Sequence, residues 1–480
     1  MGLLQRKGFI FIVIILAFAL RIGVSNRALW YDEAKTYWQA VDTGTVPAGK
    51  GYSILHVSLI KPMVKWCDEP WMLRLPFIIL GTASIIFFML ATRELLGNTL
   101  ASIVTMLLAI SPFHIYYSTE LRMYAFALLG SAINFFFFLR LSREGGWKNW
   151  FGYCAGTVIG LYALWFVCLL LVVQGIYLLY DPVRRQTLQK WLLTQLVIVI
   201  MVLPAIWYAS RVHRGFPFYL SWVRSRPMVA LAGTFYNFVM GNVFVPETWW
   251  FVLTFLTVGV IGFLCLKGIL TRRSELLLIL GGIVIPLAIT LVLSIWIHIY
   301  DERTARYLAF SQPFLIQLLV IGWATVHSPI LKGTLFIVVI FIFCAALYPM
   351  FFKWDEVGMG NTSEAAARLQ RLADPQDCIA VSKNVGIPIA YYLRGQDQLI
   401  KQMIFGSFNE PPTDTPPAQR LWLVKLYNRG MLDFLMNRGE NNMLIEPPVP
   451  AGYHQVRKEV IPGRNPIILC LFQRSNNQKP

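Results

Sequence analysis

Runs of about 20 apolar residues, the length that crosses a bilayer's hydrocarbon core at ~1.5 Å per residue, recur along this chain and constrain it more than any other feature. They fall at 71–92, 99–116, 123–141, 191–209, 249–267, 276–297, 307–326 and 332–350. Such a chain belongs in a membrane, where backbone polar groups must be satisfied within each segment and the segments are therefore helical. Composition agrees: 56% of residues are hydrophobic and 14% charged, against about 25% charged in an ordinary soluble domain. Mean hydropathy is +0.57. The run from Phe9 to Val24 follows Arg6 and Lys7, as a secretory signal would, but it contains Arg21 and lacks a small-residue cleavage site. It reads as an uncleaved first span. Residues 150–180 are too long for one upright span and read as two short helices meeting near Tyr162 and Trp165.

About eleven crossings result, and basic residues, which favour short cytoplasmic loops, orient them. An inside N-terminus also puts Arg93, Arg140, Arg143, Arg184, Arg185, Lys267 and Lys332 inside. The same parity places 25–70, 112–122, 210–248, 298–306 and everything after about 352 outside. The expected organisation is an α-helical polytopic domain over 1–352 with a long first outer loop (25–70), then a soluble extracytoplasmic α/β domain over 353–480. The net charge is +17, but the 128 residues from Lys353 hold 15 basic and 12 acidic side chains, only +3 of it. The rest belongs to the membrane part, where topology, lipid headgroups and phosphates account for it. Nucleic acid is not a partner, because its basic footprint needs a polar surface that this composition barely supplies.

In the tail, TSEAAARLQRLA predicts a helix opened by a Ser/Thr cap, while DCIAVS, AYYLR, RLWLVK and IILCLF predict strands. Seven cysteines show no CxxC pair and no metal-ligand spacing. Cys378 and Cys470 lie in expected strands, either as a disulfide or as two buried thiols. Asn361-Thr-Ser is a formal glycosylation sequon.

Ionisable groups near a bilayer lose hydration and call for explanation one by one. Asp32 and Glu33 sit in Trp30-Tyr31-Asp32-Glu33-Ala34-Lys35-Thr36-Tyr37, a segment that predicts an interfacial helix anchored by Trp30, Tyr37 and Trp38. On that helix Asp32 and Lys35 are neighbours and Glu33 points about 100° away. The plain structural alternative makes Asp32 the helix cap. A second cluster, Ser111 to Tyr124, crowds Glu120, Arg122 and Tyr124 into an expected tight outer turn. A third, His298 to Tyr307, brings Asp301, Glu302, Arg303 and Arg306 to the outer end of another span. For both, a structural salt bridge or charged interfacial turn is the alternative. All three share one membrane face. Carboxylates among arginines and lysines there suit a transferase that deprotonates an acceptor and stabilises a departing phosphate. Arginine grips phosphate with a planar fork, lysine as a point charge. Further basic candidates on that face are Lys50, Lys61, Arg74, Arg211, Arg214, Arg224 and Arg226.

A first span followed by LWYDEAKTYW, GYSILHVSLIKP, EPWMLRLPFIILGTASIIFFMLATRELLG and SPFHIYYSTELRMYAF resembles bacterial members of the GT-C glycosyltransferase superfamily, in its protein O-mannosyltransferase and lipid A aminoarabinose transferase group. The resemblance covers residues 5 to 210 in order and spacing, with weaker echoes in ARYLAF and the tail. It implies a GT-C fold and an inverting enzyme that moves a sugar from a polyprenyl-phosphate donor to a glycan, lipid or protein acceptor. The implied setting is a bacterial plasma membrane, with the N-terminus cytoplasmic, the site and tail outside, and membrane lipids as the other partner. By the same resemblance Asp32 is the general base, with Glu33 and Glu120 beside it as catalytic carboxylates. By the resemblance Lys35 and Arg306 meet the donor phosphate and His56 and Tyr307 the substrate; the charged clusters on that face add Lys50, Arg122 and Arg303 as phosphate candidates and Tyr124 as a substrate candidate. His56 lies in a stretch where Ser53 and Ile54 replace the family's two prolines. No cofactor is required, although the resemblance leaves room for a divalent cation, Mg or Mn, at Asp32 and Glu120. No Gly-rich nucleotide cradle is present.

Three other readings stand beside this one. A flippase or transporter predicts internal repeats, and no two-fold repeat is visible. A polysaccharide polymerase or ligase predicts its large outer loop late in the chain, whereas here it follows the first span. A non-catalytic scaffold predicts a broken Asp-Glu pair, and the pair is intact.

Overall fold

A computed structural model describes residues 7–42, 44–49, 55–180, 185–212, 227–242, 245, 247–271, 275–297, 304–354, 361–406, 419–426, 449–450, 452–462 and 465–475. Seven helices in it are long and apolar enough to cross a membrane: α4 (Pro70–Leu96), α7 (Tyr124–Glu144), α10 (Arg185–Val212), α12 (Thr248–Ile269), α13 (Leu276–Ile297), α14 (Gln312–Ala324) with the 3-10 turns before it, and α15 (Pro329–Phe352). An eighth forms if α5 (Asn98–Ile110) and α6 (Pro112–Ser118) count as one span bent by 63°. The expected eleven rest further on α1 (Lys7–Gly23), α8 (Trp147–Ala163) and α9 (Cys168–Tyr180), none longer than 17 residues. Leu196, Ile200, Phe255, Val258 and Ile337, all exposed, lie on the bundle's outside. In water such a surface would aggregate; against lipid tails it costs nothing.

Local sequence explains each break. Pro112 has no N–H to give a helix and pushes Ser111 into extended geometry (φ −65°, ψ 119°). The Ser111 hydroxyl then accepts from the backbone N–H of His114 at 3.3 Å and restarts the helix as α6. Residues 112–118, expected as an outer turn, are thus a helix buried along its whole length. The 150–180 run breaks at Leu164 (φ −150°, ψ 113°) into α8 and α9, where two helices meeting near Tyr162 and Trp165 were expected. The expected outer loop 210–248 contains α11 (Pro227–Met240), whose 14 residues are too few for a hydropathy window to register as a span.

Packing inside the bundle uses small residues and saturated polar groups. A Cβ on Gly130 would meet the backbone N of Gly160 at 2.5 Å, so α7 and α8 touch backbone to backbone. Beside that contact the Asn134 amide donates to Thr157 (2.7 Å), Gln174 to Asn134 (2.5 Å) and Tyr153 to Gln174 (2.9 Å), and Trp191 donates to Tyr153 (2.7 Å). Arg21, fully buried near the end of α1, donates to Ser118 (2.9 Å) and to the carbonyl of Ala17 (2.7 Å), and pairs with His114 Nδ1 (2.8 Å). It ties α1 to the break between α5 and α6.

The tail builds a five-stranded sheet, order β2-β1-β3-β5-β4, from β1 (Cys378–Ser382), β2 (Met403–Gly406), β3 (Arg420–Leu426), β4 (Tyr453–Ile461) and β5 (Ile467–Arg474). The β1 strand is parallel to β2 and β3, and β5 is antiparallel to β3 and β4. Three expected strands are present. AYYLR is instead the end of a helix, Lys383–Tyr392, whose residues from Val385 to Tyr391 are all buried. A helix buried on every side shows an unbroken apolar run, which periodicity cannot tell from a buried strand. The helix Thr362–Leu372 is capped by Asn361, not by Ser or Thr: the Asn361 side chain accepts from the N–H of Glu364 at 3.2 Å. Cys378 and Cys470 are both buried and are not joined in a disulfide. One hydrophobic core joins this tail to the segment between α1 and α4, with Leu29, Tyr37, Trp38 and Ile60 packed among Val385, Ile389, Trp422 and Leu469.

Candidate active site

The helix α2 (Tyr31–Val41) begins after Trp30, which is the cap residue and gives no side-chain bond, so Asp32 is not the cap. Asp32 and Glu33 both lie in the first turn, where the helix dipole favours acids. Tyr37 and Trp38 are not lipid anchors. Tyr37 meets the Tyr391 ring edge to face at 4.8 Å, and Trp38 Nε1 donates to the carbonyl of Ile387 at 3.3 Å. Covered by the tail on one side, α2 can present only its other faces to the membrane bundle.

Those faces separate the two carboxylates. Glu33 turns inward and is fully buried, gripped by Arg74 Nε at 2.9 Å and Nη2 at 2.6 Å, and it accepts from the N–H of Leu121 at 3.1 Å. Arg74 Nη1 also donates to the carbonyls of Ser25 and Arg27, each at 2.6 Å. Glu33, expected as a third catalytic carboxylate, is therefore spent holding α2, α4 and the turn before α7 together. Asp32 faces the other way, with 18% of its side chain exposed, and meets Arg306 Nη1 at 3.6 Å. This is an ion pair too long for a good hydrogen bond.

Around Asp32 the structure gathers most of the expected residues. Arg306 and Tyr307 stand on the kinked 3-10 segment Thr304–Ser311 that precedes α14. The Arg306 guanidinium lies 5.7 Å from the Trp30 ring and 5.4 Å from the Tyr307 ring. Tyr307 stacks on Phe166 at 5.4 Å, so the break between α8 and α9 supports this wall. Arg122 Nη1 donates to Thr36 Oγ1 at 3.4 Å, one helical turn beyond Asp32. Burial works against the Arg122 charge, but Asp32 and Tyr124 outweigh it and hold the guanidinium above its usual pKa. Tyr124 is buried and packs edge to face on Tyr117 at 5.2 Å. Lys35, half-buried, is held below the usual lysine range by burial and by Arg122, with Asp32 opposing; Lys383 from the tail adds to the lowering.

Among the described residues Glu120 and His56 have no hydrogen bond of good geometry at any side-chain N or O atom. Glu120 is 1% exposed, and neither carboxylate oxygen has a hydrogen bond of good geometry among the described residues. Burial first, then the nearby Glu33 charge, push its pKa up to about 8 against the pull of Arg27 and Arg306. Burial thus favours the protonated carboxyl at Glu120. His56, on the short helix Leu55–Ile60, is buried with both ring nitrogens unpartnered, and burial with Arg122 and Lys35 pushes it well below the usual imidazole range. Lys50 and Arg303, expected phosphate contacts, lie outside the described residues, as do Asp301, Glu302, Arg214, Arg224 and Arg226. Lys61 is exposed, Arg211 lies over Trp207 at 5.5 Å, and neither joins the cluster. The sequence reading passed over Arg27, although a basic residue at the outer end of a span runs against the inside bias and could have flagged it.

Among the described residues no three His, Cys, Asp or Glu side chains gather to hold a metal. Asp32 and Glu120 are the carboxylates available, and arginines bear on both. That charge balance does not suit a divalent cation, which takes several oxygen ligands unopposed by fixed positive charge.

The family model described as dolichyl-phosphate-mannose-protein mannosyltransferase matches residues 66–208, a segment that carries Arg74, Glu120 and Arg122 but not Asp32. No curated protein matches the chain in sequence. Among solved structures, ArnT from Cupriavidus metallidurans in the apo state is similar with TM-score 0.54 and 12% identity, covering 96% of this chain and 97% of that one. The arabinofuranosyltransferase AftD from Mycobacteria is similar with TM-score 0.52 and 11% identity, covering 99% of this chain and 40% of that one. At these identities the likeness is one of fold. The chain is a multi-pass membrane protein with the GT-C fold and the small α/β tail that its motifs implied, and it resembles the GT-C glycosyltransferases.

Proposed function

We propose that this protein is an inverting glycosyltransferase that moves a sugar from a polyprenyl-phosphate donor to an acceptor on the outer face of a bacterial plasma membrane. The observation that carries the reading is the state of Asp32. It is a partly open carboxylate on a rigid helix, faced by Arg306 and close to Arg122, in a fold shared with known glycosyltransferases. In this reading Asp32 accepts the proton of the acceptor's hydroxyl or amine. The acceptor atom bonds to the anomeric carbon as the bond from that carbon to the phosphate oxygen breaks on the opposite face. Polyprenyl phosphate leaves as the anion, and the configuration inverts. Such a leaving group needs mainly positioning and charge stabilisation.

Arg306 and Arg122 offer planar forks to the phosphate, and Lys35 a point charge. Glu120, whose protonated form burial favours, supplies a hydrogen bond to the bound sugar or acceptor. Neutral His56 and the hydroxyls of Tyr124 and Tyr307 complete a polar wall for the substrate. No step passes through a metal, because the arginines supply the positive charge that an ion would bring.

The test is transfer from a polyprenyl-phosphate sugar by the purified full chain, wild type against Asp32→Asn. A well-placed general base contributes roughly 10²–10⁴-fold. The expected result is a loss of that size with the melting temperature in detergent unchanged. Full activity in Asp32→Asn removes Asp32 as base. A screen of surface glycans in a strain lacking the protein names the sugar and acceptor.

A further inference from the structure

The tail takes hold of the backbone just where the chain enters α2. Leu29, two residues before that helix, is fully buried, and tail side chains meet both of its backbone polar groups. Its N–H donates to the Tyr392 hydroxyl at 2.7 Å, and its carbonyl accepts from the Thr362 hydroxyl at 3.4 Å. The first bond is short and strong, the second long and weaker.

These bonds matter because α2 has no side-chain cap. Trp30, its cap residue, is extended (φ −88°, ψ 176°) and gives no side-chain bond. The direction in which the chain enters the helix is therefore set from outside. Glu33 pins α2 to Arg74, yet a helix held at one side chain can still swing about that point. Leu29 supplies a second pin, next to Trp30 and three residues ahead of Asp32. Those are the two residues that this segment brings to Arg306. Asp32 Oδ2 lies 3.6 Å from Nη1, and the Trp30 ring lies 5.7 Å from the guanidinium.

The second pin is itself anchored. Tyr392 ends the tail helix Lys383–Tyr392. Beside it the Tyr391 hydroxyl donates to the carbonyl of Asp68. Arg394 lies over the Tyr391 ring at 4.3 Å and pairs with Asp68 and, at 3.3 Å, with Glu69, the cap residue of α4. A line of contacts thus runs from the start of α4 through Arg394, Tyr391 and Tyr392 to Leu29, and on to the first turn of α2.

We infer that Tyr392, together with Thr362, is a positioning residue for the proposed transfer: by bonding the backbone of Leu29, the tail holds Asp32 and Trp30 in place against Arg306. Its catalytic weight rests on the reading of Asp32 as base. Neither tail residue acts on the substrate itself. Loss of the Tyr392 hydroxyl leaves a buried N–H without an acceptor, and the entry to α2 shifts to find one. Displacing a reacting group by about 1 Å costs up to about 10²-fold in rate.

The experiment compares the purified full chain in detergent with Tyr392→Phe, Thr362→Val and Trp38→Phe. The last is the control: it removes a tail bond farther along α2, from Trp38 Nε1 to the carbonyl of Ile387. Amide hydrogen exchange over residues 29–36 reads the pin whether or not the protein is a transferase. Tyr392→Phe is expected to speed it by up to about tenfold, the worth of one hydrogen bond. Thr362→Val should speed it less, and Trp38→Phe least, although Trp38→Phe lowers the melting temperature most. In transfer from the polyprenyl-phosphate sugar that wild type accepts, Tyr392→Phe should lower kcat about tenfold or more. The affinity for decaprenyl phosphate, read by thermal shift, should stay within about twofold, because Arg306 and Arg122 stand on other segments. Exchange and kcat that merely follow melting temperature, with Tyr392→Phe and Trp38→Phe on one line, overturn the inference. So does unchanged kcat in Tyr392→Phe. Full transfer by Asp32→Asn, with exchange still governed by Tyr392, removes the reading of Asp32 as base and leaves the pin standing. If Tyr392→Phe does not fold, Thr362→Val decides alone.

Discussion

Two adjacent acids on one helix, Asp32 and Glu33, meet opposite surroundings, and the contrast separates holding from reacting. Behind α2, Glu33 and Arg74 form a closed, fully buried, bidentate pair with every strong donor used. In front of it, Asp32 and Arg306 stand 3.6 Å apart, partly open, with the unpartnered Glu120 and His56 nearby. The intramembrane network of Asn134, Thr157, Tyr153 and Gln174 resembles the region behind: its members answer one another, and it works as glue between helices. A buried polar group satisfied by protein is structural. One left unsatisfied calls for an explanation, and at Glu120 and His56 the proposed substrate supplies it.

The largest effect that can break this contrast is at the closed pair. Glu33→Gln leaves Arg74 charged and uncompensated, which costs about 3–5 kcal/mol. The expected outcome is a sharp fall in folded yield and melting temperature in detergent, and a stable Glu33→Gln protein would put both acids in one class. Asp32→Asn should do the reverse, removing transfer while the melting curve stays in place; coincident losses of stability and activity would erase the distinction.

A smaller, pH-dependent effect belongs to Glu120. Its folded-state pKa is raised from 4.5 to about 8, so folding favours its protonated form. The stability this gives is complete below pH 4.5 and is lost as pH rises through about 8. Relative to Glu120→Gln, the wild type should therefore lose melting temperature across that window, by the equivalent of a few kcal/mol. Parallel curves for the two proteins would mean that Glu120 is ionised in the fold. The smallest effect is expected from a chelator: transfer should change by less than about twofold in excess EDTA, since arginines rather than a metal face the proposed phosphate. A collapse of activity restored by Mg or Mn would reverse that charge assignment.

Much of the fold was legible in the chain because bilayer physics writes it there: long apolar runs and an over-long run that had to split. Three tail strands were legible from β-branched and aromatic runs between turn formers. AYYLR misled because its helix is buried on all sides, and α11 passed unnoticed because it is too short to cross. The site's residue types could also be read, since acids and arginines at a membrane surface are costly enough to stand out.

By itself, then, the sequence determined a polytopic helical membrane protein with an α/β tail and charge gathered at the ends of its spans, because hydropathy and charge act through local composition. Only the tertiary structure decided which acid is held closed and which stays partly open, and that Tyr37 and Trp38 bind the tail rather than lipid. Those depend on which groups from distant segments share a desolvated space. An arginine's partner, such as Arg74 for Glu33 across 41 positions, is set by packing and not by neighbours in the chain.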